Sequence, residues 1–236
     1  MNALANPEVG KFLNEHFVSS FQKVGTFRIV NGQKQGGNVA SYFCAQDGRV
    51  LHVVAGPVNA QTLLREARWV VDSVKKSLKE TKKTGKSFKA QFRQAHADRL
   101  RAEYGLTVQP VMFDSPSADE KSALSYRDPS GRPLAPVLPA APIEGPNVSF
   151  TPAEKAAFEA RQEDALKTTN ALEVVTCLGG CRIALSNQGR VHSLLAAHSM
   201  KKIETLYGSI FEGILGEKVS TKPVIVETPF PWVTRR

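Results

Sequence analysis

The stretch from Gly36 to Ser77 constrains the fold most: GGNVASYFCAQDGRVLHVVAGPVNAQTLLREARWVVDSVKKS. Val39 to Cys44 mixes apolar and aromatic residues, and Arg49 to Ala55 is nearly continuous in valine and leucine. Between them, Asp47-Gly48 tolerates the positive φ of a tight turn, so the two runs predict a β-hairpin. Gly56-Pro57 stops the second strand. From Gln61 the apolar period becomes helical, with Leu63, Leu64, Ala67, Val70, Val71 and Val74 recurring three and four apart. The unit is strand, turn, strand, long amphipathic helix.

Upstream, Asn6 suits a helix N-cap and Pro7 the first helical position, with Val9, Phe12 and Leu13 as the apolar face. The helix is expected to end near His16, at Asn14-Glu15-His16-Phe17-Val18. This order resembles the second half of a thioredoxin-like domain: a helix ending in N-x-x-F-V, a strand, then a D-G hairpin leading into the last helix. The resemblance covers roughly the first third of the chain. It implies an α/β fold, a thioredoxin-like mixed sheet flanked by helices. In the family, an active member carries a first strand and a C-x-x-C ahead of this helix, and a cis-proline before the hairpin. This sequence begins MNALANPEV, and Asn38 or Val39 stands at the proline's position. The slot of the missing strand is expected to be filled by another segment, the best candidates being Pro223 to Glu227 or a strand of a partner chain. That strand would lie between Phe17–Val24 and Val39–Cys44.

Along the rest of the chain, Phe17 to Val24 and Thr26 to Val30 read as strands, and Asn31 to Gly37 as a plain polar loop. Helices are expected over 60–79 and 87–104, the second closed by Gly105. Leu106 to Phe113 reads as a short strand. Six prolines between Pro129 and Pro146 mark a linker or wrapping segment. Thr151-Pro152-Ala153-Glu154 is a capping box opening a second folded part. There, Leu172–Thr176, Cys181–Ser186 and Arg190–Ala196 are expected as strands, and Met200–Leu215 as a helix. Asp47-Gly-Arg-Val and Gln188-Gly-Arg-Val form a weak internal echo of hairpin and helix. The division is therefore 1–113 thioredoxin-like with a basic helical extension, 114–150 proline-rich linker, and 151–236 a small α+β part.

Charge is concentrated. The formal net charge is +9. Between Lys75 and Arg101 stand Lys75, Lys76, Lys79, Lys82, Lys83, Lys86, Lys89, Arg93, Arg99 and Arg101 against Glu80 and Asp98, so ten against two places +8 there. Such a face attracts polyanions, membrane phosphates or an acidic partner, or is a solvated helix face. Only Phe88, Phe92 and Tyr104 lie nearby, and no aromatic platform interleaves the lysines, which weakens a single-strand nucleic-acid reading.

No complete catalytic constellation is visible. Cys177 and Cys181 are the candidate redox couple. The commoner two-residue Gly179-Gly180 turn would pair Leu178 with Cys181 and keep the thiols apart, so packing cysteines are expected rather than a disulfide, whereas a three-residue loop would set them opposite one another. Neither has a C-x-x-C or H-x-x-x-H partner for zinc, so no metal site and no cofactor are expected. His192 and His198 flank an expected strand end beside Cys181. His52 and Trp69 read as core residues, Trp232 as a tail anchor, and no carboxylate pair suggests acid–base work. No apolar run is long enough for a membrane helix, and no signal peptide is visible. A low, odd cysteine count fits a reducing, cytoplasmic setting.

The functional expectation is a non-catalytic thioredoxin-like module that binds proteins or serves as a scaffold. One alternative is a thiol–disulfide oxidoreductase, exported, whose C-x-x-C lies upstream of a misassigned Met1. The other is a binder of nucleic acid or another polyanion through the Lys75–Arg101 face.

Overall fold

The computed structural model of the chain describes residues 3–24, 28–30, 33–35, 38–109, 138, 142–145, 156, 173–176, 182–219 and 225–227. They form a mixed α/β protein with small sheets. In chain order the first elements are α1 (Pro7–His16), β1 (Arg28–Val30), β2 (Gln33–Gln35), β3 (Ala40–Cys44) and β4 (Val50–Ala55). Two long helices follow, α2 (Ala60–Thr84) and α3 (Phe88–Tyr104), then β5 (Thr107–Val108) and β6 (Ile143–Glu144). The later elements are β7 (Glu173–Thr176), β8 (Arg182–Leu185), α4 (Asn187–Ala197), α5 (Ile203–Tyr207) and β9 (Ile225–Glu227).

The first helix forms as its sequence dictates. Asn6 Oδ1 accepts from the N–H groups of Glu8 and Val9, satisfying donors that no helical carbonyl reaches. Residues 17–24 then run without strand pairing, correcting the strand expected there. Side-chain contact holds this segment instead: the Phe17 ring meets Phe43 edge-on at 5.2 Å, and Val24 packs on the core. The polar stretch expected as a loop contains β2, antiparallel to β1. Asn31-Gly32, which separates them, is the dipeptide that most favours a two-residue hairpin.

β9 joins β1 in parallel, Arg28 opposite Ile225, giving the sheet order β2-β1-β9. A strand from Pro223–Glu227 does therefore pair with the first part. The slot expected for it does not exist, because 17–24 is not a strand, and no strand pairing among the described residues links this sheet to β3–β4.

The β3–β4 hairpin holds the centre. Gly48 takes φ +79 in the turn, and the register shifts by one residue between Phe43 and Cys44. Every β4 residue is buried. Val50, Val53 and Ala55 join a core with Val191 and Leu195 of α4 and with Leu206, Tyr207 and Ile210. Leu51 and Val54 join a second core with Val9, Phe43, Leu63, Leu64, Ala67, Val70 and Phe92. A strand covered on both sides reads as an unbroken apolar run, which is how VLHVVA reads apart from its one histidine.

α2 is longer than expected, because the lysines from Lys79 onward continue it to Gly85, whose left-handed φ of +71 ends it. Ser87 caps α3 and Gly105 closes it at φ +67. The largest correction concerns 190–196, expected as a strand and found inside α4. Ser186 caps that helix by accepting from Gly189 N–H, and Val191/Leu195 and His192/Ala196 give it a buried stripe at four-residue spacing. The echo of the first hairpin fails for the same reason. After α5 the chain continues as a wide π-type turn, Gly208–Ile214, whose last carbonyls accept from the Arg190 guanidinium.

β7 pairs with β8 with Thr176 opposite Arg182, one residue off the register that a two-residue Gly179-Gly180 turn implies. Cys177 and Cys181 themselves lie outside the described residues, as do the capping box at Thr151, most of the proline-rich stretch and Trp232. Among the described residues no helix is long and apolar enough to cross a membrane.

Candidate functional site

The two long helices carry charge at both ends of their hairpin, in opposite surroundings. At the core end, Glu66 belongs to the buried stripe of α2, between Leu63 and Ala67/Val70, so its carboxylate points inward. On α3 the residues Phe92, His96 and Leu100, four apart, form the buried stripe, and Arg99 lies beside His96. His52 comes from the middle of β4 and His192 from α4. These elements converge, and the side chains of His52 and Glu66 are wholly buried.

Arg99 clamps Glu66 with two bonds, Nη1 to Oε2 at 2.8 Å and Nη2 to Oε1 at 2.7 Å, and donates from Nε to Glu103 at 2.8 Å. Arg65 is a second cation on Glu66, reaching Oε1 from the surface through Nε and Nη2. The Arg99 guanidinium carbon also sits 4.9 Å from the Trp69 ring centre, a cation–π contact. Burial by itself pushes the Glu66 pKa up, but the bonds from His52 and Arg99 outweigh it and hold the group at about 2.

The histidine protons follow from their partners. His96 Nε2 lies 2.8 Å from the Leu51 carbonyl and must donate there, which leaves Nδ1 an acceptor. His192 Nδ1, 2.9 Å away, therefore donates to it. His52 Nε2 lies 3.1 Å from Glu66 Oε2 and donates to the carboxylate. The Gln188 amide nitrogen, 3.2 Å from the same atom, is itself a donor and gives one of its two protons to the Val53 carbonyl at 2.7 Å. Burial lowers the pKa of all three histidines, and for His96 and His192 the neighbouring His52 lowers it further. With His52 neutral, Arg99 is the charge that keeps Glu66 ionised. His52 Nδ1 and His192 Nε2 are left buried without a hydrogen-bond partner among the described residues. One nitrogen from each ring lies within 4.8 Å of the other two, so the three histidines can hold a metal ion.

At the far end, the buried positions of α2 stop at Ser77, and the helix runs on to Thr84. Lys75, Lys76, Lys79, Lys82, Lys83 and Lys86 are exposed; Lys89 and Arg93 are half-buried. None of the six exposed lysines forms an ion pair with a described residue. The corner is nevertheless well built. Ser87 Oγ accepts from Ala90 N–H, and Gln91 reaches back across the corner to Thr84 Oγ1 at 3.0 Å. Lys82 and Lys83 suit the negative end of α2, but Lys86 and Lys89 stand against the positive end of α3, whose first turn carries no acid.

The nearby aromatics are committed elsewhere. Phe92 is fully buried, Phe88 stacks on it at 5.6 Å, and the Tyr104 hydroxyl bonds Ser186 at 2.6 Å. Cys44, half-buried in β3, has its thiol pKa pushed up to about 11 by burial and then by Glu204, which leaves it protonated at neutral pH. His192 does not flank a strand end as expected but sits inside α4.

Of the site residues, the lysines were legible as a charge run. The centre was not, although two signals pointed to it: a glutamate on the apolar stripe of α2, and His96 on the stripe of α3. No family model, curated protein or solved structure matches the chain.

Proposed function

We propose that the protein is a non-catalytic binding module that engages an acidic macromolecular partner through the lysine-bearing corner of the α2–α3 hairpin. The observation that carries this is the corner itself: six exposed lysines without an ion pair among the described residues, beyond the last buried turn of α2. Like charges three and four apart on a helix repel, and lysines at the start of α3 oppose its dipole. An arrangement that costs local stability is explained by a partner that neutralises it. A protein with an acidic face is the favoured partner, since Phe88, Phe92 and Tyr104 are packed into the core and offer no stacking surface to single-stranded bases. Double-helical nucleic acid, recognised through its phosphates alone, is the second reading. The succession of β3–β4 hairpin, Gly56 and α2 supports a thioredoxin-like origin of this part, and the protonated state of Cys44 argues against thiol exchange at that cysteine.

The test is binding of the full chain to polyglutamate, duplex DNA and single-stranded DNA over a range of salt. Binding that falls steeply with salt and is lost on joint Lys79→Glu, Lys82→Glu, Lys83→Glu and Lys86→Glu replacement supports the reading. Preference for polyglutamate over duplex selects the protein partner. Equal, salt-insensitive or absent binding by the native and charge-reversed chains removes it.

A further inference from the structure

Independently of the basic corner, the buried histidines carry an assignment of their own. Buried polar atoms are nearly always hydrogen-bonded, and a cluster with two unpartnered nitrogens calls for an explanation. His52 Nδ1 and His192 Nε2 are such atoms, on rings with 0 % exposure stacked 4.9 Å apart. The bonds that are made have a particular pattern. His52 gives its Nε2–H to a carboxylate and His96 gives its Nε2–H to a backbone carbonyl. Those are the partners that hold metal-ligating histidines, fixing the ring and leaving its other nitrogen free to bind.

We propose that His52, His96 and His192 bind one divalent transition-metal ion, zinc in the first instance, in the core between β4, α3 and α4. Imidazole nitrogen suits zinc and its neighbours, whereas calcium and magnesium require oxygen ligands, and the one carboxylate here, Glu66, is already engaged by Arg99 and His52. His52 and His96 present Nδ1. His192 presents Nδ1, which stands 2.9 Å from His96 Nδ1, or the unpartnered Nε2, and in the latter case its ring turns so that Nδ1–H leaves the lone pair of His96 Nδ1. With zinc–nitrogen bonds of about 2.0–2.1 Å, tetrahedral ligands stand about 3.3–3.4 Å apart. The contact of 2.9 Å therefore opens slightly and the widest separation, up to 4.8 Å, closes by ring rotation. Where Nδ1 of His192 binds, the ion replaces the proton it shared with His96, and that proton moves to Nε2 of the same ring. Trp69 lies against all three rings at 4.9, 5.0 and 5.1 Å, so the ion is shielded on that side and lies beside a fluorophore.

The experiment uses the full chain, purified without a histidine tag, dialysed against zinc and then against metal-free buffer. About one equivalent of zinc per chain is expected, with a rise in melting temperature that a chelator reverses, as for any ligand of the folded state. The cobalt derivative is expected to show ligand-field bands without a thiolate charge-transfer band, and copper is expected to quench the Trp69 emission of a Trp232→Phe chain. His192→Ala, confirmed folded by circular dichroism, is expected to lose the metal. A folded native chain that retains no metal overturns the assignment. So does a thiolate band, which places the ion at the cysteines, and so does full retention by folded His192→Ala. Should that variant not fold, the cobalt spectrum of the native chain decides alone.

Discussion

The two ends of the α2–α3 hairpin place charge under opposite rules. At the core end Glu66 and Arg99 sit in low dielectric, where an unpaired charge is very costly, and each is bonded to the other and to further partners. At the corner six lysines stand in water without an ion pair among the described residues, where solvent and salt screen them. Charged side chains are therefore bonded and enclosed at one end and solvated at the other. Burial decides which, and burial is a property of the packed molecule.

The comparison breaks first at Glu66. Replacing it by alanine leaves the two Arg99 Nη groups and the His52 Nε2–H without the acceptor they share, with only Glu103 among the described residues still paired to Arg99, and a loss of about 3–5 kcal/mol is expected in urea denaturation. Replacing Glu66 by leucine together with Arg99 by methionine is expected to cost clearly less than Glu66→Ala alone, because no charge is then stranded. Equal losses would mean that the pair is solvated and that the two ends obey one rule.

Gly189 tests how tightly the core end is packed. A Cβ there would stand 2.8 Å from Tyr104 Cζ and 3.1 Å from its hydroxyl, where α4 approaches α3. Gly189→Ala is expected to destabilise by about 1–3 kcal/mol, since Tyr104 must turn away from Ser186. A melting temperature equal to that of the native chain would show that the helices have room to spare.

Acid distinguishes the ends by pH. The folded pKa values of His52, His96 and His192 lie below 6.5, so on acidification the unfolded chain takes up protons first. Their contribution is complete above 6.5 and is lost as pH falls through the folded values. Glu66, at about 2 against 4.5, adds stability that is complete above 4.5 and is lost toward 2. The urea midpoint is thus expected to begin falling near 6.5. A midpoint flat down to 4.5 would exclude neutral, buried histidines.

The smallest effect belongs to the corner. Reversing Lys79, Lys82, Lys83 and Lys86 to glutamate is expected to leave stability within about 0.5 kcal/mol per site, as for surface positions generally. The single acid placed at the start of α3, at position 86, removes an unfavourable dipole contact and offsets part of what the end of α2 loses. A loss as large as that of Glu66→Ala would mean that the lysines are structural.

Local chemistry made much of the chain readable. Asn6, Ser87, Gly85 and Gly105 end helices where their own backbone and side-chain preferences require it, and Asp47-Gly48 turns the hairpin. Reading failed where local signals were balanced. Arg190–Ala196 is short and apolar enough for strand or helix, and the cap from Ser186 together with cover from α3 and α5 selects helix. Phe17–Val24 has strand-like residues but no described neighbour to pair with, and its Phe17 and Val24 pack as single anchors. The centre failed differently. His52, Glu66, His96, Arg99 and His192 span 140 positions, and each alone is an ordinary core or surface residue.

The sequence by itself determined the elements whose causes lie within a few residues: caps, turns, helix stripes and a run of lysines. Tertiary structure alone decided that β9 pairs with β1, that α4 covers β4, and that three histidines, a glutamate and an arginine meet. The reason is physical. A cap or turn is stabilised by contacts that the chain makes with its near neighbours whatever the fold, whereas a buried charge is tolerable only once distant segments close around it and supply its partners.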